Sequence, residues 1–220
     1  SYFWLNNTGS LANASICGIF TGIPNYVMVP FAAKLVRKFG ARATAIGAGL
    51  FGFGAYGLLY IIGYHPFGET FEDNTLFNLA FVIIMLTICG LPNKIIQVCN
   101  PILTADALDY MEWKHGMRNE ALVTTVQGYF IKLAGAITGW LSNMVLTWIH
   151  YVPIKDELGN AIPNTDPSIQ KGIWLIFCIL PALARGLYGL SFILYPIHGQ
   201  LQQRLIVELA EKRAAVINEK

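Results

Sequence analysis

Charge is scarce in this 220-residue chain: Asp, Glu, Lys and Arg together make up 13% of it, against roughly 25% in an ordinary soluble domain. With 55% of residues hydrophobic, that scarcity excludes a disordered tail and sets the chain apart from water-soluble globules. The net charge of +2 comes without any dense Lys/Arg block, which removes nucleic acid as a partner. The four cysteines, Cys17, Cys89, Cys99 and Cys178, fall in apolar stretches and form no C-x-x-C pair. Neither a zinc site nor a disulfide frame is therefore expected, and the cysteines read as small buried hydrophobes. The four histidines, His65, His115, His150 and His198, stand near the ends of apolar runs and share no metal-ligand spacing.

Long apolar runs are what the chain has in quantity. A helix needs about 20 apolar residues to cross a hydrocarbon core, and five segments are long enough: 11 to 36, 43 to 64, 76 to 104, 121 to 149 and 173 to 198. They lack the two-residue alternation of a membrane barrel, so the expected fold is an all-α membrane bundle spanning residues 1–199, followed by a tail over 200–220. Positive residues are retained on the cytoplasmic side. Lys34, Arg37, Lys38 and Arg42 at the first turn, Lys114 and Arg118 in the third connection, and Arg204, Lys212, Arg213 and Lys220 in the tail therefore belong on one side. Connections 65 to 75 and 150 to 172 hold only Lys155 and Lys171, the first of them also carrying Glu69, Glu72 and Asp73, and are expected outside. Five spans with an inside C-terminus put the N-terminus outside. Together with an opening Ser1 and no signal-peptide pattern, this leads us to expect upstream helices of the same protein.

Proline marks the spans at Pro24, Pro30, Pro92, Pro101, Pro181 and Pro196, where membrane helices tolerate a bend. The second span carries Gly47, Gly49, Gly52, Gly54 and Gly57, small residues that let helices approach closely. A charge at the bilayer centre is penalised by at least about 2.5 to 3.5 kcal/mol and normally marks a pathway or a paired site. Lys132 lies about 16 Å into its span and Lys94 about 15 Å from the cytoplasmic end of its own, which puts both at similar depth. Arg185, about 12 residues into the last span, either lines the pathway or pairs with a polar neighbour. No Asp or Glu lies within any span, so an embedded lysine draws its counter-charge from outside this chain.

Polar side chains form two further patterns. Asn93, Gln97, Asn100 and Thr104 are spaced by four, three and four, one face of a helix, and Thr124, Gln127, Ile131 and Gly135 make a comparable stripe beside Lys132. Amides and hydroxyls in a cavity suit hydroxyl-rich ligands such as sugars, although the same groups also serve as interhelical glue. The connection ADALDYMEWKHGMRNE, residues 105 to 120, sets Asp106, Asp109 and Glu112 three apart, ahead of Lys114, Arg118 and Glu120. Exposed ion pairs contribute only about 0 to 1 kcal/mol each, which suits a gate that opens and closes.

The run D-x-x-D-Y-x-E-W-K, Asp106 to Lys114, with Arg118 and Glu120 after it, and Q-x-x-x-x-K, Gln127 to Lys132, resembles the glycoside-pentoside-hexuronide:cation symporter family of the major facilitator superfamily. The likeness extends over essentially the whole chain as the carboxyl-terminal part, helices eight through twelve of twelve. It implies sugar uptake coupled to sodium or a proton by alternating access, with substrate and ion near the midplane between two six-helix halves. It further implies that Lys132 lies by the cation and sugar sites, with Gln127 and Ile131 at the substrate; from their own depth, stripe and spacing, Lys94 is expected to share in cation coupling, Gln97 and Asn100 to face the substrate, and Asp106, Asp109, Glu112, Arg118 and Glu120 to form a cytoplasmic gate. The implied partners are the sugar, the lipid bilayer and the amino-terminal helices, whose acidic residues complete the ion site; no cofactor is implied beyond the coupling ion. Gln97 stands where melibiose permease, a member of that family, has a sugar-stacking tryptophan, which turns the expectation from galactosides toward another glycoside, pentoside or uronide. The implied location is a plasma membrane, the inner one in bacteria, with a cytoplasmic C-terminus.

An intramembrane enzyme would need a nucleophile, metal ligands or paired carboxylates at depth, and the spans offer none, so no enzyme is expected. The alternative is a non-transporting sensor or assembly subunit on a carrier-like scaffold. Leu201, Leu205 and Leu209, with Arg204, Glu208 and Lys212 at four-residue spacing, make the tail an amphipathic helix that either lies on the membrane surface or covers the gate.

Overall fold

The structure, a computed structural model, describes residues 2–68, 71–155, 161–164, 166–197 and 199–218. Of the residues singled out above, Glu69, His198 and Lys220 lie outside the described residues, as do the side chains of Glu72, Lys155, Lys212 and Arg213. The architecture is helical: α1 (Tyr2–Thr8), α2 (Ala12–Phe39), α3 (Ala41–Ile62), α4 (Thr75–His115), α5 (Glu120–Trp148), α6 (Pro167–Ser191) and α7 (Gln200–Asn218). Helices α2 to α6 are long and apolar enough to cross a membrane. They correspond to the five expected spans, with shifted ends. A two-residue antiparallel ribbon, Ile154–Lys155 against Ala161–Ile162, decorates the connection between α5 and α6.

The third span exceeds its expected length. Helix α4 runs for 41 residues, about 60 Å, because nothing in Ala105–His115 breaks it until Gly116 adopts a left-handed conformation (φ 71°) and donates its N–H to Glu112. The acidic residues of the third connection thus ride on a rigid extension of a spanning helix. Helix α5 then restarts where the Asn119 side chain accepts the Leu122 N–H at 3.0 Å.

The last span begins earlier and ends sooner than the apolar run suggests. Asp166 caps Ser168 at 2.9 Å and Pro167 stands at the first helical position, so α6 opens six residues ahead of Ile173. Those hydrogen bonds from Ser168 hold the exposed Asp166 carboxyl below the usual carboxylate range. At the other end Tyr195 is extended (ψ 117°), as the residue before a proline prefers, so Pro196 lies beyond the helix rather than kinking it. Arg42 covers the freed carbonyls, donating to Phe192 O at 2.9 Å and Ile193 O at 2.6 Å.

Packing is concentrated on α3, α4 and α6, whose shared core includes Leu59, Val82, Cys89, Ile173, Trp174 and Cys178. All four cysteines are buried and free. Helix α3 meets α6 almost backbone to backbone: a Cβ on Gly49 would fall 2.6 Å from Gly189 Cα. By contrast, none of the apolar stretch of α5 is buried within the chain, and Leu146 is its one buried residue among those described. Tyr129, Phe130, Ile131, Trp140 and Trp148 all stand more than half exposed. A helix that is apolar and uncovered is at rest in lipid or against another apolar helix.

At the end where α3 stops and α4 and α6 start, the short α1 ties the bundle with amides, an arrangement with no counterpart in the sequence analysis. Asn6 donates to Tyr151 Oη at 3.2 Å and accepts the backbone N–H of Asn164 at 2.8 Å, while Gln170 donates to Asn6 O at 2.8 Å and Asn7 donates to Gln170 O at 2.9 Å. Asn6 and Asn164 are both buried, so Asn6→Ala strands the Asn164 N–H. An unsatisfied buried donor costs about 1–3 kcal/mol, and the expected result is a lower thermal midpoint in detergent, with no change meaning that the knot contributes nothing.

Candidate functional site

An open cleft of about 490 Å³ separates α4 from α5, floored by the turn after α6. Asn100, Leu103 and Thr104 line it from α4, Val126 and Gln127 from α5, and Phe192 and Tyr195 from the floor. Two of the substrate-facing residues expected from the sequence, Asn100 and Gln127, therefore meet across one cavity although 27 residues separate them. The wall is mostly apolar with a few convergent polar groups, the composition of a small-molecule site. Asn100 Oδ1 accepts the Tyr188 hydroxyl at 2.7 Å, which fixes the amide and leaves its NH2 to donate. The Thr104 hydroxyl is turned back onto Asn100 O at 2.9 Å, and Tyr195 donates to Leu103 O at 3.3 Å.

The polar stripe on α4 divides between two neighbours. Asn93 and Asn100 turn toward α6, Asn93 accepting from the Arg185 guanidinium and Asn100 from Tyr188. Arg185 thus takes a polar partner, its stem lying against Gly52, where a Cβ would sit 3.1 Å from Arg185 Cγ. Gln97 instead belongs with Lys94, whose Nζ donates to Gln97 Oε1 at 3.3 Å and lies 4.1 Å from the ring centroid of Tyr26 on α2. Lys132 and Ile131 stand exposed on α5, apart from the residues that line the cleft. Lys94, Lys132 and Arg185 have no carboxylate partner among the described residues.

Beyond the cleft, Arg118 gathers the acidic residues. It reaches Asp109 at 2.9 Å, Glu112 at 3.6 Å and Glu120 at 2.7 Å, so a cation of their own connection partners the acids. Asp106 takes a different partner, accepting from Gln202 of α7 at 3.0 Å, and Trp113 donates its indole N–H to Glu208 at 2.5 Å. Leu205 and Leu209 are buried, so the tail helix packs against the α4 extension instead of standing free. Asp109→Asn removes one anion from the Arg118 cluster without touching the cleft. On the expectation drawn from the symporter resemblance, it should slow sugar transport by the complete protein severalfold while changing equilibrium sugar binding less than twofold, about 0.4 kcal/mol or under; equal transport rates would remove this cluster from the cycle.

Tyr26, Tyr188 and Tyr195 escaped the sequence analysis. Tyr188 follows Arg185 by three residues, a helical spacing that keeps both toward α4; Tyr195 lies beyond the end of α6 and Tyr26 on another helix, so no local spacing announces either.

Helices of spanning length, embedded cations and a cleft edged with amides define a membrane carrier scaffold, and residues 1–199 match the sequence model of the MFS/sugar transport protein family. The chain belongs to that family, in agreement with the symporter resemblance of its motifs. It is 29% identical to the uncharacterized symporter YjmB of Bacillus subtilis (strain 168) over 96% of this chain and 42% of the relative. It is 35% identical to a putative sulfoquinovose importer of Escherichia coli (strain K12) over 53% of this chain and 26% of the relative. It is 24% identical to the isoprimeverose transporter of Lactiplantibacillus pentosus over 51% of this chain and 22% of the relative. The chain spans less than half the length of these curated relatives. No solved structure matches it.

Proposed function

We propose that this chain is the carboxyl-terminal part of a secondary carrier that moves a sugar together with sodium or a proton by alternating access. The observation that carries this reading is the α4–α5 cleft, in which Asn100, its amide held by Tyr188, and Gln127 face each other across an apolar cavity, with Gln97 one turn away on α4. Sugar hydroxyls both donate and accept, and amides match both roles. Lys132, with Lys94, enters the charge balance against which the coupling ion binds, and Ile131 supplies an apolar contact beside Gln127. The carboxylates that complete the ion site come from amino-terminal helices of the same carrier, which also cover the bare face of α5. The Arg118 cluster, with the tail helix packed on the same extension of α4, closes the cytoplasmic side of a plasma-membrane protein, the inner membrane in a bacterium.

The test is flux through the complete carrier in reconstituted vesicles. Adding a glycoside, pentoside or uronide from a panel should drive sodium or proton entry in step with sugar entry. Sugar binding without any accompanying ion movement would instead identify a sensor built on a carrier scaffold.

A further inference from the structure

We propose that Lys94, Gln97 and Tyr26 form a subsite for the acid group of an anionic sugar, a carboxylate or a sulfonate. This inference rests on the transport reading and narrows its substrate class.

Lys94 is half-buried on α4, and its ammonium, with three N–H donors, finds one weak acceptor, Gln97 Oε1 at 3.3 Å, and the face of Tyr26 at 4.1 Å. A ring face attracts the cation but leaves its remaining protons without an acceptor oxygen. Because the Gln97 carbonyl is turned to Lys94, the amide NH2 points away and adds two more donors at an exposed position. The free ammonium protons, the Gln97 NH2 and one positive charge together complement an oxyanion.

Negative charge does not come from the surrounding spans, which contain neither Asp nor Glu. Arg185 differs in having Asn93, and Lys132 in standing away from aromatic and amide neighbours among the described residues. The Tyr26 ring is 69% exposed, so the site is an open platform rather than a sealed ion pair. An apolar ring face beside a cation fits a sugar whose C–H face lies on the aromatic while its acid group meets the ammonium. Lys94 and Asn100 are about 9 Å apart along α4 and about 120° apart around it, so the subsite lies beside the amide cleft on the face that α4 turns to α2 rather than within it.

The experiment measures exchange through the complete carrier in proteoliposomes for three labelled solutes of one sugar: a neutral methyl glycoside, its 6-carboxylate and its 6-sulfonate. A charge-assisted hydrogen bond is worth a factor of about ten or more, so one or both acids should exchange with an apparent affinity at least about tenfold above the neutral glycoside. The two acid arms tell carboxylate from sulfonate. Lys94→Gln should erase that preference and Lys94→Arg should keep most of it; Tyr26→Leu should reduce it severalfold, a second reading if Lys94→Gln does not fold. A wild-type carrier that exchanges the neutral glycoside as well as both acids overturns the subsite and leaves the transport reading standing. So does a preference that survives Lys94→Gln. A carrier that exchanges no sugar of any kind overturns both.

Discussion

Lys132→Leu in the complete carrier should abolish accumulation of sugar against its gradient, leaving the internal concentration no higher than the external one. Lys132 sits about 18 Å into α5, near the middle of a span that buries none of its apolar stretch within this chain. Keeping a lysine there costs at least about 2.5 to 3.5 kcal/mol of insertion free energy, which leucine would recover. The variant helix inserts more readily than the wild type, so a loss of accumulation cannot be assigned to failed insertion. What leucine removes is a positive charge on the helix that carries Gln127, outside the lining of the cleft itself. With that charge gone, the carboxylates proposed to face it are no longer balanced, and ion binding ceases to depend on sugar binding. Uptake measured with and without an imposed ion gradient reads this directly: the two curves should coincide for Lys132→Leu and diverge for the wild type. Undiminished gradient-driven accumulation would remove Lys132 from coupling.

The helices themselves were legible because a membrane fold is written largely in one variable, the length of apolar run, and α2 to α5 begin close to where their runs begin. Their ends are governed by other physics. The apolar run of α4 stops near Thr104, yet its backbone hydrogen bonds continue eleven residues further because helix propensity, unlike hydropathy, does not change at the membrane boundary. The start of α6 was written in Asp166-Pro167, a cap followed by a first-turn proline, which hydropathy overlooks. Site residues divide in the same way. Asn100 and Gln127 announce themselves as amides in apolar helices, and the Asp109, Glu112 and Arg118 cluster as charges in one short connection. The pairing of Arg185 with Asn93 spans 92 residues, and Tyr26 beneath Lys94 spans 68, so neither is a matter of local spacing. The amide knot around Asn6 is illegible for the same reason: a buried Asn and a surface Asn are spelled alike.

The glycines of α3 test packing most severely. Five of them look equivalent in sequence, but only Gly49 and Gly52 face α6, whereas a Cβ on Gly47, Gly54 or Gly57 meets nothing within 4 Å. At Gly49 the obstruction is backbone, Gly189 Cα and N at 2.6 Å and Arg185 O at 2.8 Å, which no rotamer change relieves. At Gly52 it is the Arg185 stem at 3.1 Å, a side chain that can lean aside. Alanine is worth up to about 1 kcal/mol over glycine inside a helix, and that gain is common to all five positions. Overpacking costs about 1–3 kcal/mol and more where backbones must separate, so it applies to Gly49 in full and to Gly52 in part. The expected order of thermal stability in detergent is therefore Gly54→Ala at or above wild type, Gly52→Ala near or slightly below it, and Gly49→Ala clearly lower. Gly49→Leu, whose branched side chain would have to displace α6 along its contact with α3, should leave no folded carrier to purify. A Gly49→Leu protein of wild-type stability would mean that α3 and α6 do not meet at Gly49 and Gly189, and with that the placement of Arg185 against Asn93, and of the α4 face that lines the cleft, would fall as well.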